Sequence, residues 1–369
     1  MQKQKHFTRR SFLTSTSCLG AALALEKYLA PAALAKTIAQ DPRVAAQPLV
    51  DKGFASIRRI GEGVYATISD PSKGYDTLCN GGFLFGKDAA VLIEGLRMPS
   101  GAAFQFDALK SVSPVPVRAA FDTHYHFDHS MGNAAYGARD IPIWAHSKVA
   151  PLMVQNYANQ QGTDKTALLD GLRKRIRDAA NETERQHAQV DLGAYTAIFQ
   201  AIDNTVLALP NHPLDPATLP MTMDLGGMRV IVETYPGHTP GDIILRVPEQ
   251  NIVFTGDLLF HSMYPVTFDA DIGAWRATLA KFAAFSEDTL FVPGHGQVCG
   301  QGGIAELRAV FDDLAAHAGK MYKAGVSAEE AEKRYVVPEP FKNFAIFSWA
   351  LSVGAAMAKL YGEFKAGKA

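Results

Sequence analysis

The sequence predicts an α/β protein of four layers, two mixed β-sheets packed face to face with helices outside. Two observations carry this prediction. The chain has two β-rich halves, each ending in helices, and a long polar helical stretch separates them. The 369 residues are 47% hydrophobic and 20% charged, enough for a sizeable core. With 36 Lys and Arg against 37 Asp and Glu, the net charge of −1 excludes the strong basic field of a nucleic-acid binder. Three cysteines exclude a disulfide scaffold. No internal repeat occurs at solenoid or propeller periods.

The N-terminus is set apart from the fold. Lys3, Lys5, Arg9 and Arg10 precede a mildly apolar stretch from Phe12 to Leu25, and Ala33-Leu34-Ala35 supplies a small-x-small cleavage pattern. Thr8-Arg9-Arg10-Ser11-Phe12-Leu13 resembles a twin-arginine export signal. Residues 1–35 are therefore expected to be a signal peptide, residues 36–53 a linker, and the mature protein periplasmic. The apolar run breaks at Glu26-Lys27, short of a membrane span, so no stable span is expected after cleavage.

The first β half follows as Ser56–Ile60, Gly63–Ser69, Gly81–Gly86 and Ala89–Gly95, the last two joined by the hairpin signal Lys87-Asp88. A helix is expected over 102–112 and a buried strand at Val117–Phe121. A helix should start at Asp128, and a short strand at Ile141–Ala145. The helical insertion spans about 147–205. Strands return at Met221–Leu225, Met228–Tyr235, Asp242–Val247, Asn251–Thr255 and Thr289–Val292. Helices are expected over 273–285, 303–323 and 326–335, and a helical C-terminal extension over 324–369, where Phe344, Phe347, Leu351 and Ala355 stand at helical spacing within Pro340–Lys365.

The chemistry is concentrated at strand ends. Asp122-Thr123-His124-Tyr125-His126-Phe127-Asp128-His129 follows the buried strand VRAAF. On an extended segment residues two apart point the same way, so His124 and His126 can reach one ion, while Asp128 and His129 diverge as the chain turns into a helix. VIVETYPGHTPGD, NIVFTGD and TLFVPGHG then present His238, Asp257 and His295, each after a glycine that suits close backbone approach. Imidazole and carboxylate donors suit zinc, with iron and manganese as alternatives. Seven ligands exceed one tetrahedral site. They divide into three, three and one carboxylate able to bridge two ions ~3.5–4 Å apart.

HxHxDH followed in order by GH, TGD and GH resembles the dinuclear metallo-β-lactamase superfamily, over roughly residues 54–320. That resemblance implies the αββα metallo-β-lactamase fold within a domain at 54–323, and two zinc ions. His124, His126 and His238 would bind the first, Asp128, His129 and His295 the second, and Asp257 would bridge. It implies a hydrolase that attacks the carbonyl of a small ester, lactone, thioester or β-lactam, with Asp128 also handling a proton. Asp257 stands where true zinc β-lactamases typically lack an aspartate. It is similar instead to glyoxalase II-type thioesterases and lactonases. The rival readings are an iron-dependent oxidoreductase such as a persulfide dioxygenase, and a non-catalytic periplasmic metal-relay protein. Beyond the ligands, Asp122 and Asp242 could orient ligand histidines. His261 and Tyr264 could reach substrate, and the insertion could cap the site.

Overall fold

The computed structural model describes residues 41–367. The export-signal segment lies outside the described residues. Among these, no helix is long and apolar enough to cross a membrane.

The first sheet has eight strands in chain order: β1 (Val50–Asp51), β2 (Ala55–Gly61), β3 (Val64–Ser69), β4 (Gly81–Phe85), β5 (Ala90–Ile93), β6 (Val117–Phe121), β7 (Ile143–His146) and β8 (His212–Leu214). Pairing is antiparallel as far as β5 and parallel from β5 to β8. The second sheet comprises β9 (Met221–Asp224), β10 (Arg229–Thr234), β11 (Ile243–Val247), β12 (Ile252–Phe260) and β13 (Leu290–His295), all antiparallel except β12 with β13. The inner faces meet through Val64, Leu84, Val91 and Phe121 of one sheet and Val232, Leu245 and Phe254 of the other. This is the alternate-residue burial that two facing sheets require.

Outside the first sheet lies α1 (Pro99–Val112), whose Ala102, Ala108 and Leu109 pack with Phe83 and Leu92. The remaining helices follow. In chain order these are the short α2 (Phe127–Ser130) and α3 (Ala134–Gly137), then α4 (Val149–Gly162), α5 (Lys165–Asp178) and α6 (Glu182–Asn204) of the insertion, then α7 (Ile272–Phe282), α8 (Gln301–Lys323), α9 (Ala328–Lys333) and α10 (Ala355–Lys365). Trp275 of α7, Phe311 of α8 and Met357 of α10 share the core that covers the second sheet. Together these layers form the expected αββα fold with its helical C-terminal extension.

Four expectations need correction. Part of the expected linker is structured, since β1 pairs with β2 and Val44 is buried. The strand expected to end at Thr255 continues to Phe260, and its parallel neighbour continues to His295, with register shifts either side of Gly256. Gly256 takes φ +51° and lies against Thr123, so the strand bulges there instead of ending. The strand β8 was not foreseen, because His-Pro-Leu is too short to show a period. Finally, residues 342–348 are not helical. Ala345 bridges to Met263 and only from Trp349 does the chain wind, first as a π turn and then as α10.

The insertion is tied to the rest by buried polar groups. Arg97 donates to Tyr75 O at 2.8 Å and to Ala197 O of α6 at 3.1 Å. Asp191 of α6 accepts from Ser348 Oγ at 2.7 Å and from Ala350 N at 3.0 Å. One turn away, His187 stacks on Trp349 with ring centroids 3.4 Å apart.

A candidate metal centre at the sheet ends

Strand β6 delivers the HxHxDH loop. His126 caps α2 in extended conformation, so Asp128 and His129 fall in the first helical turn while His124 and His126 stay on the extended stretch. The other donors come from the opposite sheet: His238 from the loop after β10, Asp257 from the bulge of β12 and His295 from the end of β13. Both sheets are laced together beneath them. Ile243 N donates to Thr123 O at 2.9 Å, and Asn80 donates through Nδ2 to Pro293 O at 2.9 Å and Gly296 O at 2.7 Å.

All seven residues singled out in the sequence come together in two groups, His124, His126, His238 and Asp257 in one and Asp128, His129 and His295 in the other, each with donor atoms within 4.8 Å of one another. His126 Nδ1 lies 2.9 Å from His238 Nε2. Asp257 stands between the groups. Its Oδ2 is 3.3 Å from His238 Nε2 and 3.9 Å from His124 Nε2, while its Oδ1 is 3.1 Å from His129 Nε2 and 3.4 Å from His295 Nε2. Asp128 Oδ2 lies 3.2 Å from His295 Nε2 and 3.7 Å from His129 Nε2.

The donor set fits cations. His124 Nε2, His129 Nε2, His238 Nδ1 and Asp257 Oδ1 are buried without a hydrogen-bond partner, a costly arrangement for a protein that leaves them so. Burial pushes His124 and His126 well below the ordinary imidazole range and His238 down to about 4. These three rings are therefore neutral and carry the lone pairs that ligation needs. Burial opposes the charge of Asp257, but His295 and His129 beside it hold it well below the usual carboxylate range. Burial likewise opposes a charged His295, and Asp257 and Asp128 outweigh it, lifting it to about 9. The second group thus holds protons that a cation would displace.

Glu94 is not marked as functional by the sequence, where Ala89–Gly95 reads as plain apolar strand. It is 1% exposed, at φ +71°, just past β5. Its Oε1 accepts from Thr123 Oγ1 at 2.6 Å and lies 3.0 Å from His129 Nδ1, and its Oε2 accepts from Thr123 N at 3.1 Å. With its proton given to Glu94, the Thr123 hydroxyl faces His124 Nδ1 at 3.1 Å as an acceptor, leaving Nε2 as the lone-pair nitrogen. Glu94 thus orients His124 through Thr123 and stands within ion-pair distance of His129. The only sequence signal was an acid closing an apolar run.

Other candidates take quieter places. Asp122 accepts from Asn133 Nδ2 at 2.7 Å. Asp242 accepts from Thr239 N at 2.8 Å and braces the turn that carries His238; burial pushes it up to about 8. His261 Nδ1 lies 2.7 Å from Gln297 O, and Tyr264 bonds Tyr335, so both belong to packing. His146 Nδ1 accepts from Lys148 N at 3.1 Å. Cys79, whose Sγ donates to Asp128 O at 2.9 Å, and Cys299 are buried and unpaired.

A pocket of about 160 Å³ opens over this floor, reaching His126, Asp128, Asp257 and His295. Its walls come from α4 and α6 of the insertion, from the chain after β12 and from Phe347 and Leu351. Phe268 stacks on His126 with centroids 5.0 Å apart.

Residues 74–295 match the family model described as metallo-β-lactamase superfamily, and the chain belongs to that superfamily. It is 37% identical over 83 residues to the "Uncharacterized protein Rv2581c" of Mycobacterium tuberculosis, covering 20% of this chain and 37% of that one. It is 32% identical over 173 residues to a hydroxyacylglutathione hydrolase of Ruegeria pomeroyi, covering 42% of this chain and 66% of that one. The chain thus spans between about a third and two thirds of these curated relatives. Among solved structures, the metallo-β-lactamase FIM-1 from Pseudomonas aeruginosa in its mono-zinc form superposes with a TM-score of 0.50 at 21% identity, covering 70% of this chain and 95% of that one. This likeness is one of fold.

Proposed function

We propose that this protein is a dinuclear metal-dependent hydrolase, with zinc as the metal, that cleaves a small ester, lactone, thioester or lactam after export to the periplasm. One observation carries the reading: the two oxygens of Asp257 face the two ligand groups separately. A carboxylate so placed suits a bridge between neighbouring cations. His124, His126 and His238 would hold one ion and Asp128, His129 and His295 the other. The name of the Ruegeria relative, a hydroxyacylglutathione hydrolase, supports hydrolysis. The twin-arginine-type segment around Arg9 and Arg10 supports export.

When bound, two such ions supply Lewis acidity to a carbonyl oxygen and make water nucleophilic near neutral pH. The chain's own residues do the rest. Glu94 fixes the rings of His124 and His129, so the floor is preorganised. Asp128, beside the pocket, holds the proton that water loses and hands it to the departing oxygen, sulfur or nitrogen. The bond from the acyl carbon to that atom breaks, and water's oxygen stays on the acyl carbon. The apolar walls keep bulk water from competing.

The test is turnover of a panel of phenyl esters, lactones, thioesters and a chromogenic cephalosporin by residues 36–369. Turnover that a chelator abolishes and zinc restores is expected. One iron per chain with oxygen consumption would instead favour an oxidoreductase, and intact metal with no turnover would favour a relay protein.

A further inference from the structure

We infer that the site takes an uncharged carbonyl compound carrying a slender apolar arm of at most about six carbons. The chemistry rests on the hydrolytic reading above, but the pocket that selects the arm is an independent observation. Facing the metal floor are Ile198, Met263, Val266, Phe268, Phe347 and Leu351. The volume, about 160 Å³, is close to the ~150 Å³ of a dry apolar cavity that binds benzene. The reacting carbonyl shares this space, so about six carbons is the upper limit for the arm.

Charge is excluded by what lines the walls. No lysine or arginine is among the described lining residues, and the acids there are Asp128 and Asp257 of the floor. With the reacting carbonyl held at the floor, a carboxylate at the far end of the arm would lose its water and find no cation on the walls. The walls do offer neutral polar groups. Asn156 and Gln160 lie one turn apart on α4, so both amides reach the pocket from one helix face. They can donate to or accept from an ester, amide or ring oxygen of the substrate. The arm is thus sorted by desolvation and its polar head by these amides.

The experiment is calorimetric binding to residues 36–369, zinc-loaded and metal-free. It compares hexanamide with adipic acid monoamide, the same chain ending in a carboxylate. Phenyl esters from acetyl to decanoyl are assayed in parallel. Hexanamide should bind at least about tenfold more tightly than the monoamide in the metal-free form, where no ion can capture the carboxylate. Ester kcat/KM should climb about fourfold per methylene and level off near six carbons. Phe268→Lys, at a partly exposed rim position that tolerates charge, should erase or reverse the preference for hexanamide. Equal or tighter binding of the monoamide to the metal-free wild type, or kcat/KM falling from acetyl to hexanoyl, would overturn the inference. Selective hexanamide binding with no turnover of any ester would uphold the pocket and sink the hydrolytic reading.

Discussion

Strand ends of a rigid sandwich hold the floor of the pocket, whereas its walls come from helices α4 and α6 and from an irregular stretch before α10. The floor is crowded and fixed. A Cβ on Gly294 would sit 1.9 Å from Asp257 Oδ1 and within 3 Å of the Gly256–Asp257 backbone, and one on Gly256 would meet Thr123. The walls are held to each other by a few side chains: Asp191 on Ser348 and Ala350, and His187 on Trp349. The contrast separates chemistry from selection. Positions that carry reacting groups tolerate little displacement, and positions that choose the substrate can shift without disturbing them.

Changes in the floor should therefore cost most. Gly294→Ala pushes the Asp257 carboxylate aside, and a displacement of that order costs about 100-fold in rate. Steady-state kinetics should show it as lost kcat with lost metal, and a fully active, fully loaded variant would break the contrast. Glu94→Gln keeps the shape but weakens its hold on Thr123 and His129. Metal affinity or activity should fall about 10–100-fold, read by competition with a chelating dye.

A change in the walls should leave the metal alone. Asp191→Ala strands the Ser348 hydroxyl and the Ala350 N–H, at a cost of about 1–3 kcal/mol of stability. KM should rise up to about tenfold, as far as the binding-competent wall is less populated, while kcat and metal content stay near wild type. Loss of metal in this variant would show that the walls and the floor are one unit.

The smallest effect is a pH dependence. Burial lowers His187 from 6.5 to about 4. Between these values the unfolded chain binds the proton and the fold does not, so this contribution is complete above pH 6.5 and is lost as pH falls toward 4. His187→Phe keeps the stack on Trp349 without the titration. Between pH 7 and 5 its melting temperature should fall less than that of the wild type, by on the order of 2 °C after screening at this half-exposed site. Parallel slopes would remove His187 from the clamp.

The same division governs what could be read from the sequence. His124 and His126 were legible because period-two spacing in an extended loop is a geometric statement. His238, Asp257 and His295 were legible because each follows a glycine after an apolar run. Their convergence from two sheets is what the strand-end placement implied. Glu94 was not legible, since its role depends on a left-handed backbone turn and on Thr123 reaching back to it. Nor were the walls. The apolar positions of α6 would look the same on a helix packed anywhere, and Phe347 enters the pocket because residues before Trp349 fail to wind into the expected helix.

Asp257 is proposed to join two metal ions. Metal content of purified residues 36–369, measured by mass spectrometry for the wild type and Asp257→Asn together with hydrolysis of the best ester, tests it most directly. The account predicts two ions per chain in the wild type, and at most one with lost turnover in the variant. Two ions retained by Asp257→Asn with full activity, or a fully active wild type holding a single ion, would contradict it.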